Sequence, residues 1–138
     1  MYGEIDARTQ HFAAAVGIHA NIAKIFTSRI PKKITKTTTN GKSIILDGDT
    51  VIFSVLDALS ELKGQLSFDS KVGKKIRDKY TTLVEKVKND PTSTINVPCF
   101  ERFVIEEFLT PYMPRAYKIS FNELSSKEIS ALYTWIVF

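Results

Sequence analysis

Residues 29 to 42 read Arg-Ile-Pro-Lys-Lys-Ile-Thr-Lys-Thr-Thr-Thr-Asn-Gly-Lys, and they constrain the fold more than any other stretch. Pro31 disfavours helical geometry in the residue before it, and the β-branched threonines favour extended backbone. Asn40-Gly41 is the strongest short-range hairpin signal, because both central residues of a type I′ turn need positive φ. Residues 34–39 and 42–46 flank that dipeptide with β-branched and apolar residues. The tract is therefore read as a short hairpin near residues 33–46, with a flexible threonine-rich linker as the alternative. Either way it divides the chain.

Before it, Ile5, Phe12, Ala15, His19, Ile22, Phe26 and Ile30 recur at helical spacing. The pattern predicts one long helix from Glu4, ending at Pro31. At about 1.5 Å per residue it would run roughly 40 Å, and part of it is expected to project as an arm. Gly17 marks the place for a bend.

After the tract, Asp47-Gly48-Asp49-Thr50 forms a turn in which Asp49 or Thr50 is expected to cap the next helix. Ile52, Val55, Leu56, Leu59, Leu62 and Leu66 make a strongly apolar stripe, with a break expected at Gly64. Asp69 or Ser70 caps a third helix, whose inward face is read as Val72, Ile76, Tyr80, Leu83 and Val87. Pro98 suits the first turn of the next helix, which carries Phe100, Phe103, Val104 and Phe108 and is stopped by Pro111 and Pro114. Ser125 and Glu128 form a capping box for the last helix, Leu124 staples against Ile129, and Ile129, Leu132, Tyr133 and Ile136 face inward. The apolar end from Trp135 to Phe138 must pack on its own core or on another subunit.

The expected fold is mostly α: a small bundle of about four to five helices with a long N-terminal helix and one short β-hairpin. Its parts are an N-terminal helical arm (1–31), a basic hairpin or linker (32–46) and a compact helical domain (47–138). A chain of 138 residues with 43% apolar residues is large enough for a real core. Its longest apolar run, residues 12–18, is far short of the roughly 20 needed to span a bilayer. Glu4 and Asp6 stand where a signal peptide would be basic, and the single cysteine, Cys99, makes no internal disulfide. The chain is read as intracellular, soluble or within an assembled particle.

Catalytic signatures are wanting. Gly41-Lys42-Ser43 resembles the end of a phosphate-binding loop, yet position 36 is lysine where that motif needs glycine. His11 and His19 are eight apart, not the four of a helical metal pair, so no metal or other cofactor is expected. Cys99 is read as a small buried residue, and Glu101, Glu106 and Glu107 as solvated helix surface.

Charge is the remaining signal. Residues 1–43 hold seven Lys/Arg against two acids, and residues 71–90 hold seven against three, within a net charge of only +4. Arg8, Lys24, Arg29, Lys32, Lys33, Lys36 and Lys42 interleave with threonine hydroxyls able to contact phosphate. Lys71, Lys74, Lys75, Arg77 and Lys79 form a second cluster. Those at a helix start oppose its dipole, a conflict that a docked anion relieves. The reading is a non-enzymatic, self-associating structural protein of the coat or architectural type, binding DNA or RNA without sequence preference. The alternative is a helical adaptor or regulator that binds another protein through the Phe100, Phe103 and Phe108 face or through the Trp135 to Phe138 end.

Overall fold

The structure, a computed structural model, describes residues 6–66, 69–109 and 123–138. Ile5, Pro111 and Pro114 lie outside the described residues. Six helices and one antiparallel hairpin follow in the order α1 (Ala7–Val16), α2 (Ala20–Thr27), β1 (Lys33–Thr37), β2 (Ser43–Asp47), α3 (Gly48–Gln65), α4 (Lys71–Asn89), α5 (Val97–Leu109) and α6 (Ser126–Val137). Among the described residues the chain forms two compact units. The first takes 6–58; the second takes 59–66, 69–109 and 123–138.

In the first unit the expected long N-terminal helix is two short helices. Gly17 adopts φ 74, and the N–H groups of Gly17 and Ile18 both return to the Ala13 carbonyl. This is a left-handed helix closure that glycine accepts without strain. His19 then opens α2, its Nδ1 accepting from the Asn21 N–H. Residues 6–30 accordingly make a packed helical pair and not a projecting rod: Phe12, Ile18, Ile22, Ala23, Ile25, Phe26 and Ile30 are buried. The Thr9 and Thr27 hydroxyls pair at 2.7 Å in the buried seam of α1 and α2.

The hairpin forms at the expected place, with Lys33 opposite Asp47 and Thr37 opposite Ser43. Its tip differs from the type I′ expectation. Thr38 donates to the Lys42 carbonyl, Gly41 donates to Thr38, and of the loop residues only Gly41 has positive φ. That is the three-residue form, in which a single left-handed glycine suffices. At its root Gly48 donates to the Lys32 carbonyl, and a side chain at 48 would fall on the Pro31 carbonyl. Asp47, not Asp49 or Thr50, caps α3 by accepting from the Asp49 and Thr50 N–H groups. Ile52, Val55 and Leu56 are buried on this part of α3.

In the second unit Leu59, Leu62 and Leu66 continue the buried stripe, and α3 runs through Gly64 without a break. Ser70 caps α4 through the Gly73 N–H. The inward face of α4 is rotated from the expected one: Gly73 and Arg77 are buried, whereas Val72 and Val87 are exposed. Arg77 donates from Nη1 to the carbonyls of Leu66 and Val137, so one guanidinium closes the C-terminal ends of α3 and α6. The Ser125–Glu128 capping box is present, and Leu124, Ile129, Leu132, Tyr133 and Ile136 are buried.

Candidate nucleic-acid interface

Of the twelve cations in the two clusters, all but Arg77 are read as contacting nucleic acid, and two of these eleven are committed to the fold of the first unit. Arg8 pairs with Asp49 at 2.8 Å and also donates to the Thr27 carbonyl at the end of α2. Lys24 pairs with Asp6 at 2.7 Å. That ammonium and the hydrogen bonds from Thr9 hold the Asp6 carboxyl well below the usual carboxylate range. Arg29, just past the end of α2, folds back on that helix, donating to the Ile25 carbonyl.

The remaining cations of the first cluster belong to the hairpin. Because Thr38 and Lys42 are a hydrogen-bonded pair, alternation makes 36/44 and 34/46 hydrogen-bonded as well, and 33/47, 35/45 and 37/43 not. Side chains directly across a pair share a face. Half-buried Ile34 and Leu46 therefore share one face with Lys36 and Ile44, while Lys33, Thr35 and Thr37 lie on the other with Ile45. All the strand lysines stand on β1, Lys32 precedes it and Lys42 sits in the turn; β2 has none. The non-hydrogen-bonded residues of β1, namely Lys33, Thr35 and Thr37, turn their N–H groups outward. This edge thus offers ammonium groups and amide donors together.

In the second unit, Lys71, Lys75 and Lys79 follow one another at i, i+4, i+8 on the solvent side of α4, and Lys86 continues the row. Their rise is about 6 Å per step. Lys74 lies off this row, on the side that carries Asp78 and Glu85. Lys79 places its ammonium 5.7 Å from the Phe100 ring. The first turn of α4 contains no acid, and two lysines, Lys71 and Lys74, sit there against the positive end of its dipole. Arg77 is not part of this surface; its buried guanidinium is spent on carbonyls.

The aromatic residues named as docking anchors, on α5 and at the end of α6, differ in their surroundings. Phe100 and Phe138 pack around Tyr80 and Tyr133, with centroids 4.8 to 6.3 Å apart. Trp135 lies under Lys63, whose ammonium also donates to the Trp135 carbonyl. Phe108 is half-buried, and Phe103 is exposed.

Glu101 departs most from expectation. It is 3% exposed, not solvated, and its carboxyl bonds Ser130 on α6. Its Oε2 and the Tyr133 hydroxyl are buried without a hydrogen-bond partner among the described residues. Burial raises the Glu101 carboxyl above its ordinary range, and raises the Tyr133 phenol too, with the Tyr80 and Glu101 charges adding to the second effect. Glu106 and Glu107 are five and six residues on, around the helix from it, so no carboxylate pair is assembled. Cys99, expected to be buried, is exposed, and its N–H is capped by Asn96. His11 and His19 are both exposed, and no group of three metal-ligating side chains occurs among the described residues. Gly41-Lys42-Ser43 is a turn leading into a strand, not into a helix. Among the described residues no helix is long and apolar enough to cross a membrane.

Compared with protein-family models, with curated proteins and with solved structures, the chain matches none of them.

Proposed function

We propose that this chain is a non-enzymatic, self-associating protein that binds nucleic acid through its lysine surfaces, without reading sequence. The observation that carries the reading is the division of labour among its cations. Arg8, Lys24, Lys63 and Arg77 are engaged in holding the fold. Lys32, Lys33, Lys42, Lys71, Lys74 and Lys75 are exposed and have no acidic partner among the described residues. Exposed ammonium groups without carboxylates release counterions when they meet phosphate. On β1, outward N–H groups and threonine hydroxyls add donors that position a backbone and carry no base information.

The test is a salt titration of binding to mixed-sequence DNA and RNA. The three hairpin lysines Lys32, Lys33 and Lys42 predict a contribution of about −2.7 to the log–log slope on duplex DNA, at about −0.9 per neutralised phosphate. Charge reversal of Lys32, Lys33 and Lys42 to glutamate is expected to remove that contribution. Absence of retention at about 50 mM salt, where a handful of contacts should suffice, would overturn the proposal. The second reading, a helical adaptor, draws on Phe103, which is 60% exposed on α5. It is favoured if Phe103→Ala abolishes activity while the triple charge reversal leaves it intact.

A further inference from the structure

The two edges of the hairpin are chemically unlike. In a two-stranded sheet each strand has one open edge, and the same alternation that turns Lys33, Thr35 and Thr37 outward on β1 turns Ser43, Ile45 and Asp47 outward on β2. The edge on β1 is set with Lys33, Lys36 and threonines, and lysine is a common guard against addition of a further strand. The edge on β2 reads Ser43-Ile44-Ile45-Leu46-Asp47. It has no lysine, no proline and no bulge, and its register with β1 is unbroken. Ile44 is 41% exposed, and Ile45, at 70%, is the most exposed large apolar residue described. An apolar edge without such guards is a template for strand pairing.

We infer that β2 pairs with β2 of a second copy of this chain, antiparallel about a two-fold axis at Ile45, to give a continuous four-stranded sheet. The inference rests on the self-association in the function proposed above and names its surface. A second copy is the fitting occupant because the strand complements itself. About the two-fold, Ile45 meets Ile45, Ile44 meets Leu46, and the Ser43 hydroxyl meets the Asp47 carboxylate. The outward N–H and C=O of Ile45, the C=O of Ser43 and the N–H of Asp47 satisfy one another in about four backbone hydrogen bonds, the Asp47 carbonyl already serving the first turn of α3. An acidic strand would instead be drawn to β1, since β2 offers it no cation. The symmetric joint uses the same patch on both copies and therefore closes at two, leaving both lysine edges on the outer strands.

The experiment measures the mass of the full chain, free of nucleic acid, by sedimentation across a concentration series. The wild type is expected at twice 15.6 kDa and Ile45→Lys at the monomer mass. Position 45 is open to solvent, so the helical circular-dichroism signal should not change. A second variant set keeps the test sharp should Ile45→Lys misfold. In a Cys99→Ser background, Ile45→Cys is expected to form an intermolecular disulfide with oxidised glutathione. Its Cα atoms would stand about 5.5 Å apart across a hydrogen-bonded pair, inside the roughly 4.4 to 6.8 Å range for disulfides. Ile44→Cys, offset from its own copy, should not crosslink. A dimeric Ile45→Lys, or equal crosslinking at 44 and 45, refutes this interface while leaving self-association standing. A wild type that stays monomeric at every concentration refutes both.

Discussion

Replacing Arg77 with methionine isolates a side chain of α4 that ties the ends of α3 and α6 together. Methionine retains much of the aliphatic stem that packs beneath the guanidinium and removes the donors to the Leu66 and Val137 carbonyls. Those acceptors are main-chain groups at helix ends, so the substitution cannot remove them with their partner. A hydrogen bond from a charged donor contributes about 1.5 to 3 kcal/mol, and two are lost. Deleting the cation also recovers part of the cost of burying it, leaving a net destabilisation of about 3 kcal/mol. For 138 residues the unfolding entropy is about 0.3 kcal/mol/K, so Tm should fall by about 10 °C. Trp135, the single tryptophan, lies on α6, and its fluorescence during urea unfolding reports on this unit. Lys75→Met, on the exposed side of the same helix, serves as control with an expected change within about 0.5 kcal/mol. If Arg77→Met costs no more than Lys75→Met, the guanidinium does not close those helix ends and the reasoning fails.

Two further outcomes follow from the same physics. The Glu101 carboxyl is raised in the folded chain by burial, with Ser130 acting in the opposite sense, so the fold favours its neutral form. Its contribution is therefore fully present below the ordinary carboxyl pKa of 4.5 and is lost as pH rises through the folded value. The groups facing it from α6 are Ser130 and Tyr133, and from α4 Tyr80 and, by way of Tyr133, Arg77. Glu101→Gln, which mimics the neutral acid, should gain in urea midpoint relative to wild type between pH 4 and pH 8. A constant difference between the two proteins across that range would contradict the assignment. Gly48→Ala places a methyl group on the Pro31 carbonyl and should cost about 3 kcal/mol, at the upper end for overpacking. An unchanged urea midpoint would show that the root of the hairpin yields.

Much of this fold is legible in the residues, and the places where it is not share a cause. The capping box at Ser125, the hairpin site and the apolar stripe of α3 are local patterns, and local chemistry decides them. The break at Gly17 was also written locally, as a glycine closure, but the apolar spacing resumes in phase after His19 and hides the interruption. On α4, counting apolar residues selects Val72 and Val87, whereas the buried positions are a glycine and an arginine. A glycine has no apolar side chain to count. The partners of Arg77 are carbonyls 11 and 60 residues away, which no periodicity can register. Glu101 is hidden for the same reason, since Ser130 and Tyr133 reach it only when α5 and α6 pack. Among the cations, spacing alone could not tell Lys24, matched by Asp6, from Lys32, which has no such neighbour among the described residues. Charge density is a property of composition, but availability is a property of the packed chain.

The clasp between the Gly48 amide and the Lys32 carbonyl separates two kinds of freedom in the hairpin. Its root is seated by a main-chain contact that leaves no room even for a methyl group, so drift there disturbs the start of α3. The loop at Thr39 and Asn40 is exposed, and added length costs a closed loop little. Such an architecture would take a longer, more basic finger on an unchanged socket, altering reach without rebuilding the knuckle.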